Sequence, residues 1–138
     1  MTIIVVRDGV MAVDSRVSDG GTVVGSALKW RAVSEDLGGG YIAGSGDLGK
    51  VERNFATFLS GEGELLDGVA LVWLKPDGAV MEFDGGWYQT QAPFLAYGSG
   101  RHVALGALMM GADAVRAVEI ACEAMPGSCG GKIHRLLS

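Results

Sequence analysis

A hydroxyl, a carboxylate and an ammonium near the start of this chain could together form a hydrolytic site. Thr2 directly follows Met1, Asp14 ends the second apolar run, and Lys29 opens a later one. Methionine aminopeptidase removes an initiator Met that precedes a small residue, so Thr2 would carry both a hydroxyl and a free α-amine. Because an α-amine has an unperturbed pKa of roughly 7.7–8.0, it could accept the proton of the hydroxyl beside it. From position alone, however, a β-branched strand residue is the commoner explanation of a Thr at this place.

Composition restricts the class of protein. The 138 residues are 49% apolar, enough for a substantial core, and we expect residues 1–138 to form a single domain. No apolar run approaches the ~20 residues of a membrane helix, and no basic stretch followed by an apolar block opens the chain, so we expect a cytoplasmic protein without a membrane partner. The net charge of −5 argues against a nucleic-acid partner. The spacing of Cys122 and Cys129 favours two free thiols, so no metal or cofactor is expected.

Local patterns predict an alternation of hairpins and helices. Residues 2–6 and 10–14 are β-rich runs on either side of an Asp-Gly turn, which is typical of a hairpin. Apolar residues three and four apart from Leu48 to Leu59 predict an amphipathic helix, and Gly61 is a suitable residue to end it. Further strands are predicted over 29–34, 41–44, 69–75, 79–84 and 94–98 and in the last residues, and helices over 100–110, largely buried, and 113–125. Residues 15–28 have a polar, Gly-rich pattern.

Five short segments, in this order, resemble the β-type subunits of the proteasome family, closest to the HslV-type bacterial peptidase and to bacterial or phage proteasome homologues. The segments are TIIVVRDGVMAVDSR, LKWRAV, GYIAGSGD, AYGSG and SCGG, and the resemblance runs from Thr2 to about Lys132. It implies the α+β fold of the N-terminal nucleophile hydrolases, a four-layer αββα sandwich. The stretch GEGELLDG stands where the family places a second long helix, so we expect one helical layer to be shortened.

The resemblance also implies roles for individual residues. Thr2 matches the nucleophile, Lys29 the catalytic lysine and Asp14 the acidic residue that pairs with it. Ser99, in YGSG, matches the serine beside the amine of the nucleophile. Gly44, in YIAGSGD, matches the glycine whose backbone N–H helps to form the oxyanion site.

Each of these residues has a simpler explanation if the resemblance is set aside. Asp14 could cap a turn, and Ser99 could be a turn serine. Lys29 could be a solvated lysine at a strand edge, which is the usual place of a lysine. Gly44 could be a packing glycine. The positive charge near Asp14 could instead come from one of two arginines, Arg16 or Arg31.

The function implied by the resemblance is that of a threonine-type endopeptidase subunit, in which Thr2 attacks a peptide carbonyl after Met1 is removed. The implied partners are peptide or protein substrates, further copies of the chain in a ring, and an ATP-dependent unfoldase. The chain departs from the family at Pro126, near the place of a late acidic residue, and at Cys129, where a serine is common. A retained Met1 would also block the mechanism, so the alternative is a catalytically inactive ring or assembly protein.

Overall fold

The computed structural model describes residues 2–138 and has an α+β architecture. Met1, whose removal the sequence analysis invokes, lies outside the described residues. Within the described part of the chain, no helix is long and apolar enough to cross a membrane. The helices are α1 (Leu48–Ser60), α2 (Arg101–Met109) and α3 (Ala114–Ala124). The strands are β1 (Ile3–Arg7), β2 (Val10–Val13), β3 (Arg16–Asp19), β4 (Thr22–Ser26), β5 (Trp30–Ala32), β6 (Tyr41–Ser45), β7 (Ala70–Leu74), β8 (Val80–Phe83), β9 (Trp87–Thr90), β10 (Phe94–Gly98) and β11 (His134–Leu137).

The strands form two larger sheets and one small one. The first sheet has the order β10-β1-β2-β11, and the second has the order β5-β6-β7-β8-β9. Strands β3 and β4 pair with each other alone. Every pairing is antiparallel, as expected of a chain that advances largely through hairpins.

The first hairpin, β1–β2, is confirmed and follows directly from its turn residues. Asp8 and Gly9 both have positive φ, 53° and 73°, the conformation that two-residue hairpin turns require and that Asp-Gly adopts readily. Because side chains alternate along a strand, β1 buries residues on both of its faces. Ile3 and Val5 pack toward α2 and α3, whereas Ile4 and Val6 pack toward the second sheet.

Three apolar clusters hold these elements together. The first lies between the first sheet and helices α2 and α3, the second between the two sheets, and the third between the second sheet and α1. The fully buried α3 side chains are small, so this helix approaches the sheet closely. They are Ala114, Ala117, Val118 and Ala121.

The amphipathic helix α1 is also confirmed, with the ends that the sequence signals predict. The Asp47 side chain accepts a hydrogen bond from the Lys50 N–H and caps the first turn. Gly61 ends the helix in the left-handed conformation with φ 77°. Gly44 on β6 brings the helix against the sheet, because a Cβ atom there would lie 2.5 Å from Val51 Cγ1.

One sequence expectation is wrong. Helix α2 is not largely buried: only Ala104 and Leu108 are buried, and Met109 at its end is 78% exposed. The polar stretch at residues 15–28, to which no element was assigned, contains a strand pair, β3 and β4, in which Val23 and Val24 are exposed. Strand β4 is exposed throughout, so it lacks the alternation of buried and exposed residues that would have marked it in the sequence.

A hydrogen bond joins the two large sheets near their shared edge. Trp30 Nε1 on β5 donates to His134 Nδ1 on β11 at 2.7 Å. Burial, and to a smaller extent the positive charge of Lys132, lowers the pKa of His134. The neutral imidazole is therefore the form that the fold favours and the form that can accept this hydrogen bond.

Replacing Gly44 by Ala should destabilise the protein by about 1–3 kcal/mol, because the new methyl group overlaps Val51 and lies 3.2 Å from Leu71 Cδ2. Urea unfolding measures the change. The Gly44→Ala/Val51→Ala double variant should be more stable than the sum of the single effects predicts. Gly106→Ala, at a helical position with open space around it, is the control and should be neutral or stabilising. A fully additive double variant would contradict the packing explanation.

Stability should fall as the pH decreases through the ordinary His pKa of about 6.5, in part through His134. Because folding lowers this pKa, the unfolded chain binds the proton first, and acid favours unfolding. The free energy of unfolding of His134→Asn should change less between about pH 7.5 and pH 5.5 than that of the wild type. His102→Gln is the matched control and should keep the wild-type change. Identical pH profiles for His134→Asn and the wild type would refute the assignment.

Candidate active site

A single buried carboxylate, that of Asp14, connects three segments that are far apart in the sequence. Asp14 follows β2 and is 1% exposed. Its Oδ1 atom accepts hydrogen bonds from the Ile3 N–H at 3.1 Å and from Lys29 Nζ at 2.9 Å. Its Oδ2 atom accepts one from the Gly130 N–H at 3.0 Å. A buried charge requires such partners, and here they come from β1, from the residue before β5 and from the loop before β11.

The cation of this site is Lys29. Its side chain is fully buried and also donates to the Arg16 carbonyl at 2.6 Å, so the solvated strand-edge alternative is wrong. The two arginines that could have replaced it make other contacts. Arg16 Nη1 donates to the Pro126 carbonyl at 2.7 Å, and the Arg31 guanidinium lies over the Phe55 ring, 4.9 Å from its centre.

Thr2 is held beside this ion pair by its backbone. Its carbonyl accepts a hydrogen bond from the Ser99 N–H at 3.0 Å, and the next amide, Ile3 N–H, donates to Asp14. Strand β10 approaches Thr2 closely at Gly98. A Cβ atom at this position would lie 1.8 Å from the Thr2 carbonyl oxygen, and the φ of Gly98 is 107°. Only glycine suits both the space and the backbone conformation at this position.

The structure brings the Thr2 and Ser99 hydroxyls into the same buried region. Both oxygen atoms are inaccessible to solvent, and neither has a hydrogen-bond partner within residues 2–138. A buried hydroxyl without a partner is unfavourable by about 1–3 kcal/mol, so it is uncommon and calls for an explanation.

A pocket of about 550 Å³ is lined in part by Thr2 and Ser99. Its walls are formed by Thr2 and by the ends of three elements: the end of β6 with the turn after it, the end of β10 and the start of α2. The lining residues are Thr2, Ser45, Gly46, Ala96, Tyr97, Gly98, Ser99 and Arg101.

Gly44 does not supply the free N–H that the sequence analysis assigned to it. Its N–H donates to the Lys29 carbonyl at 3.2 Å, in the ladder between β5 and β6, and is therefore already bonded. Its missing side chain instead permits the contact with Val51 described above, so the packing explanation describes what the structure shows. Gly46, two residues further on, lines the pocket and has φ 129°.

Tyr97 on the pocket wall carries a titratable phenol. Burial, with smaller contributions from hydrogen bonds to Glu82 and Tyr88, raises the pKa of Tyr97, and its hydroxyl lies 3.1 Å from that of Tyr88. The phenol therefore stays protonated near neutral pH and is not a base there.

Three contributors to the site were missed by sequence reasoning on individual residues. Gly130 donates to Asp14, Gly46 lines the pocket, and Arg101 places a charge on its wall. The paired glycines after Cys129 were a signal for the first of these, since Gly130 adopts φ 152°. Neither Gly46 nor Arg101 has a local signal that distinguishes it from a turn glycine or a surface arginine.

Comparisons with known proteins agree on the fold. No family model matches the sequence, and no curated protein matches it significantly. Among solved structures, BPH from Thiobacillus denitrificans has a TM-score of 0.68 and 20% identity over 99% of this chain and 98% of that chain. The same protein in complex with epoxomicin has a TM-score of 0.65 and 20% identity, with the same coverage. Eukaryotic HslV from Trypanosoma brucei has a TM-score of 0.63 and 21% identity over 99% of both chains.

This chain has the fold of BPH and HslV. The similarity extends over nearly the whole chain, as the sequence segments predicted, and is therefore not limited to one supersecondary motif. Because the sequence identity is 20–21%, this structural similarity concerns the backbone fold. The chemistry of the site depends on the residues of this chain.

Breaking the buried ion pair should be strongly destabilising. Lys29→Met leaves the Asp14 carboxylate without its cation, and Asp14→Asn leaves a buried ammonium, so each single variant should lose about 3–5 kcal/mol of unfolding free energy. The double variant should lose less than the sum, because it buries no isolated charge. Urea unfolding of the four proteins measures this, and Arg116→Gln, on an exposed pair with Glu123, is the control. Additive losses would show that the two groups are not coupled.

Proposed function

We propose that this chain is the subunit of a threonine-type endopeptidase, with Thr2 as its N-terminal nucleophile after removal of Met1. The observation that carries the proposal is the buried Lys29–Asp14 pair bonded to the amide directly after Thr2, a residue that lines a pocket and whose hydroxyl has no partner within residues 2–138. The fold shared with BPH, a protein that has been crystallised with epoxomicin, is consistent with it.

The reaction follows from the groups on Thr2 itself. The hydroxyl oxygen attacks the substrate carbonyl carbon while its proton passes to the free α-amine, which acts as the base. The proton then moves to the leaving amine, the C–N bond breaks, and an ester links Thr2 to the acyl part of the substrate. Water attacks this ester with the same amine as base, and the released acid restores Thr2.

The surrounding residues have supporting roles in this proposal. The Lys29 ammonium lowers the pKa of the neighbouring hydroxyl and amine, and Asp14 holds the ammonium in place. Ser99, whose N–H holds the Thr2 carbonyl, provides a hydroxyl beside the nucleophile. We assign the oxyanion donor to the Gly46 N–H in place of that of Gly44, because Gly46 lines the pocket and precedes the capped start of α1.

The proposal also includes the architecture and the assembly. The three apolar clusters support a single domain with the layer order αββα, in which α1 alone forms the layer on the second sheet. We propose a homo-oligomeric ring, in which contacts between copies would cover apolar side chains that are exposed in the single chain. They include Val23, Val24, Leu28, Met109 and Met110. Such a ring would confine peptide substrates and could take an ATP-dependent unfoldase as its partner.

A peptide epoxyketone should label the purified protein at one site per chain, and intact mass should show that the labelled chains lack Met1. Thr2→Ala should abolish both the labelling and the cleavage of fluorogenic peptides. Thr2→Ser keeps a hydroxyl and a free amine, so it is the matched control and should still be labelled. The readouts are intact-protein mass and peptide mapping of the adduct.

Three outcomes separate this function from its alternative. Labelling that persists in Thr2→Ala would place the nucleophile elsewhere. Processed wild-type protein that neither reacts nor cleaves would overturn the peptidase and leave a catalytically inactive assembly protein. In that second case, native mass spectrometry should still show a closed oligomer, whereas a monomer would contradict the ring as well.

A further inference from the structure

The side chains that line the pocket beside Thr2 include a single formal charge. Of the eight lining side chains, seven are uncharged at pH 7, and the eighth is that of Arg101. The chain as a whole has a net charge of −5, so a positive wall here is opposite to the general charge of the protein. A substrate group near this wall therefore meets a local field that the net charge does not predict.

Arg101 is placed to present its guanidinium to a ligand. It is the first residue of α2 and is exposed, and its Nη1 donates to the Gly98 carbonyl at 3.0 Å. This bond anchors one edge of the guanidinium to the end of β10, beside the pocket. A guanidinium has five N–H donors, so the remaining ones can serve a carboxylate in the planar, paired geometry that arginine favours. Within residues 2–138, Arg101 forms no ion pair.

The start of α2 adds to the positive character. The N-cap residue, Gly100, offers no side-chain cap, and the first turn contains no acidic residue. The partial positive charge of a helix N-terminus is therefore not neutralised by the chain, and an arginine at this end is less favourable than an acid by electrostatics alone. A carboxylate bound at the start of α2 would neutralise the partial charge of the helix N-terminus and would pair with the Arg101 guanidinium. Ser99, which precedes the N-cap residue, also lines the pocket, and its buried hydroxyl has no partner within residues 2–138.

The nearby acidic residues do not cancel this charge. Asp14 is buried and paired with Lys29. Asp47, which follows Gly46, turns its carboxylate to the Lys50 N–H at the start of α1. Glu82 is buried and contacts the hydroxyl of Tyr97.

We infer that the pocket selects peptides with an acidic side chain, Asp or Glu, in the residue before the scissile bond, and that Arg101 determines this selection. The inference rests on the proposed function for the position of the scissile bond, but the affinity of the pocket for a carboxylate does not depend on turnover. Arg101 is thus a specificity residue and takes no part in the covalent steps.

Peptides with Glu or Gln before the scissile bond have nearly the same shape and differ in charge, so their comparison tests the role of the charge directly. Fluorogenic peptides that differ only in Glu, Gln, Leu or Lys before the scissile bond are compared by kcat/KM. Wild-type protein should prefer Glu to Gln by about tenfold, as expected for one exposed charge-assisted hydrogen bond. Arg101→Gln should bring this ratio close to one. Arg101→Glu should invert the preference toward Lys. Arg116→Gln is the matched control, and raising the salt concentration should reduce the wild-type ratio.

A binding measurement keeps the inference testable without turnover. Labelled peptides that end in Glu or Gln are titrated into Thr2→Ala and into Thr2→Ala/Arg101→Gln, with fluorescence anisotropy as the readout. The first protein should prefer the Glu peptide, and the second should not.

The outcomes distinguish the inference from the proposed function. Cleavage of all four peptides with a Glu-to-Gln ratio of one in the wild type would overturn the selection and leave the peptidase intact. Absence of cleavage and labelling, together with an Arg101-dependent preference in binding, would overturn the peptidase and support the carboxylate site. Equal binding of the two peptides to Thr2→Ala would overturn the inference.

Discussion

The structure depends on the satisfaction of one buried negative charge. Asp14 is surrounded by an ammonium and by two backbone N–H groups, one from β1 and one from the loop before β11. An isolated carboxylate at 1% exposure would be strongly unfavourable, so the three donors must be in place for the fold to form. Through the Lys29 carbonyl, which accepts the Gly44 N–H, the same cluster also fixes the position of β6 and hence of the second sheet. The Lys29–Asp14 ion pair therefore helps to fix the positions of both sheets and of the loop before β11 relative to each other.

This arrangement explains how Thr2 is held in place. Its carbonyl and the amide after it are bonded, to Ser99 and to Asp14, so its backbone is fixed on both sides. Its hydroxyl has no partner within residues 2–138. In the proposed enzyme, a nucleophile held by its backbone in this way is preorganised, because little conformational freedom is lost when the substrate binds. The close approach of β10 at Gly98 serves the same end, since any side chain there would displace the Thr2 carbonyl.

The parts of the fold that were predictable are those governed by neighbours in the sequence. The Asp-Gly turn, the α1 periodicity and its ends at Asp47 and Gly61 are local signals, and the structure follows them. The resemblance found in the five segments led to the α+β fold shared with BPH and HslV, and it brought Thr2, Asp14, Lys29 and Ser99 forward as one group. The exposure of α2 was missed because hydropathy does not show which apolar face another element covers. The bonded N–H of Gly44 was missed because it depends on pairing with β5, a contact that no residue near Gly44 specifies.

The charges of the site fall into two sets with separate tasks. Lys29 and Asp14 lie within 2.9 Å of each other and are both fully buried, so their fields largely cancel at a distance and act on the atoms next to them. Arg101 is exposed, has no ion-pair partner within residues 2–138, and stands at the uncapped start of α2, so its field extends into the pocket. In the proposed enzyme the first set adjusts the nucleophile, whereas the second can attract a substrate without altering it. Because Arg101 bonds to the Gly98 carbonyl and the Lys29 ammonium bonds to Asp14 and to the Arg16 carbonyl, selectivity in the proposed enzyme can change at Arg101 while the buried pair stays intact.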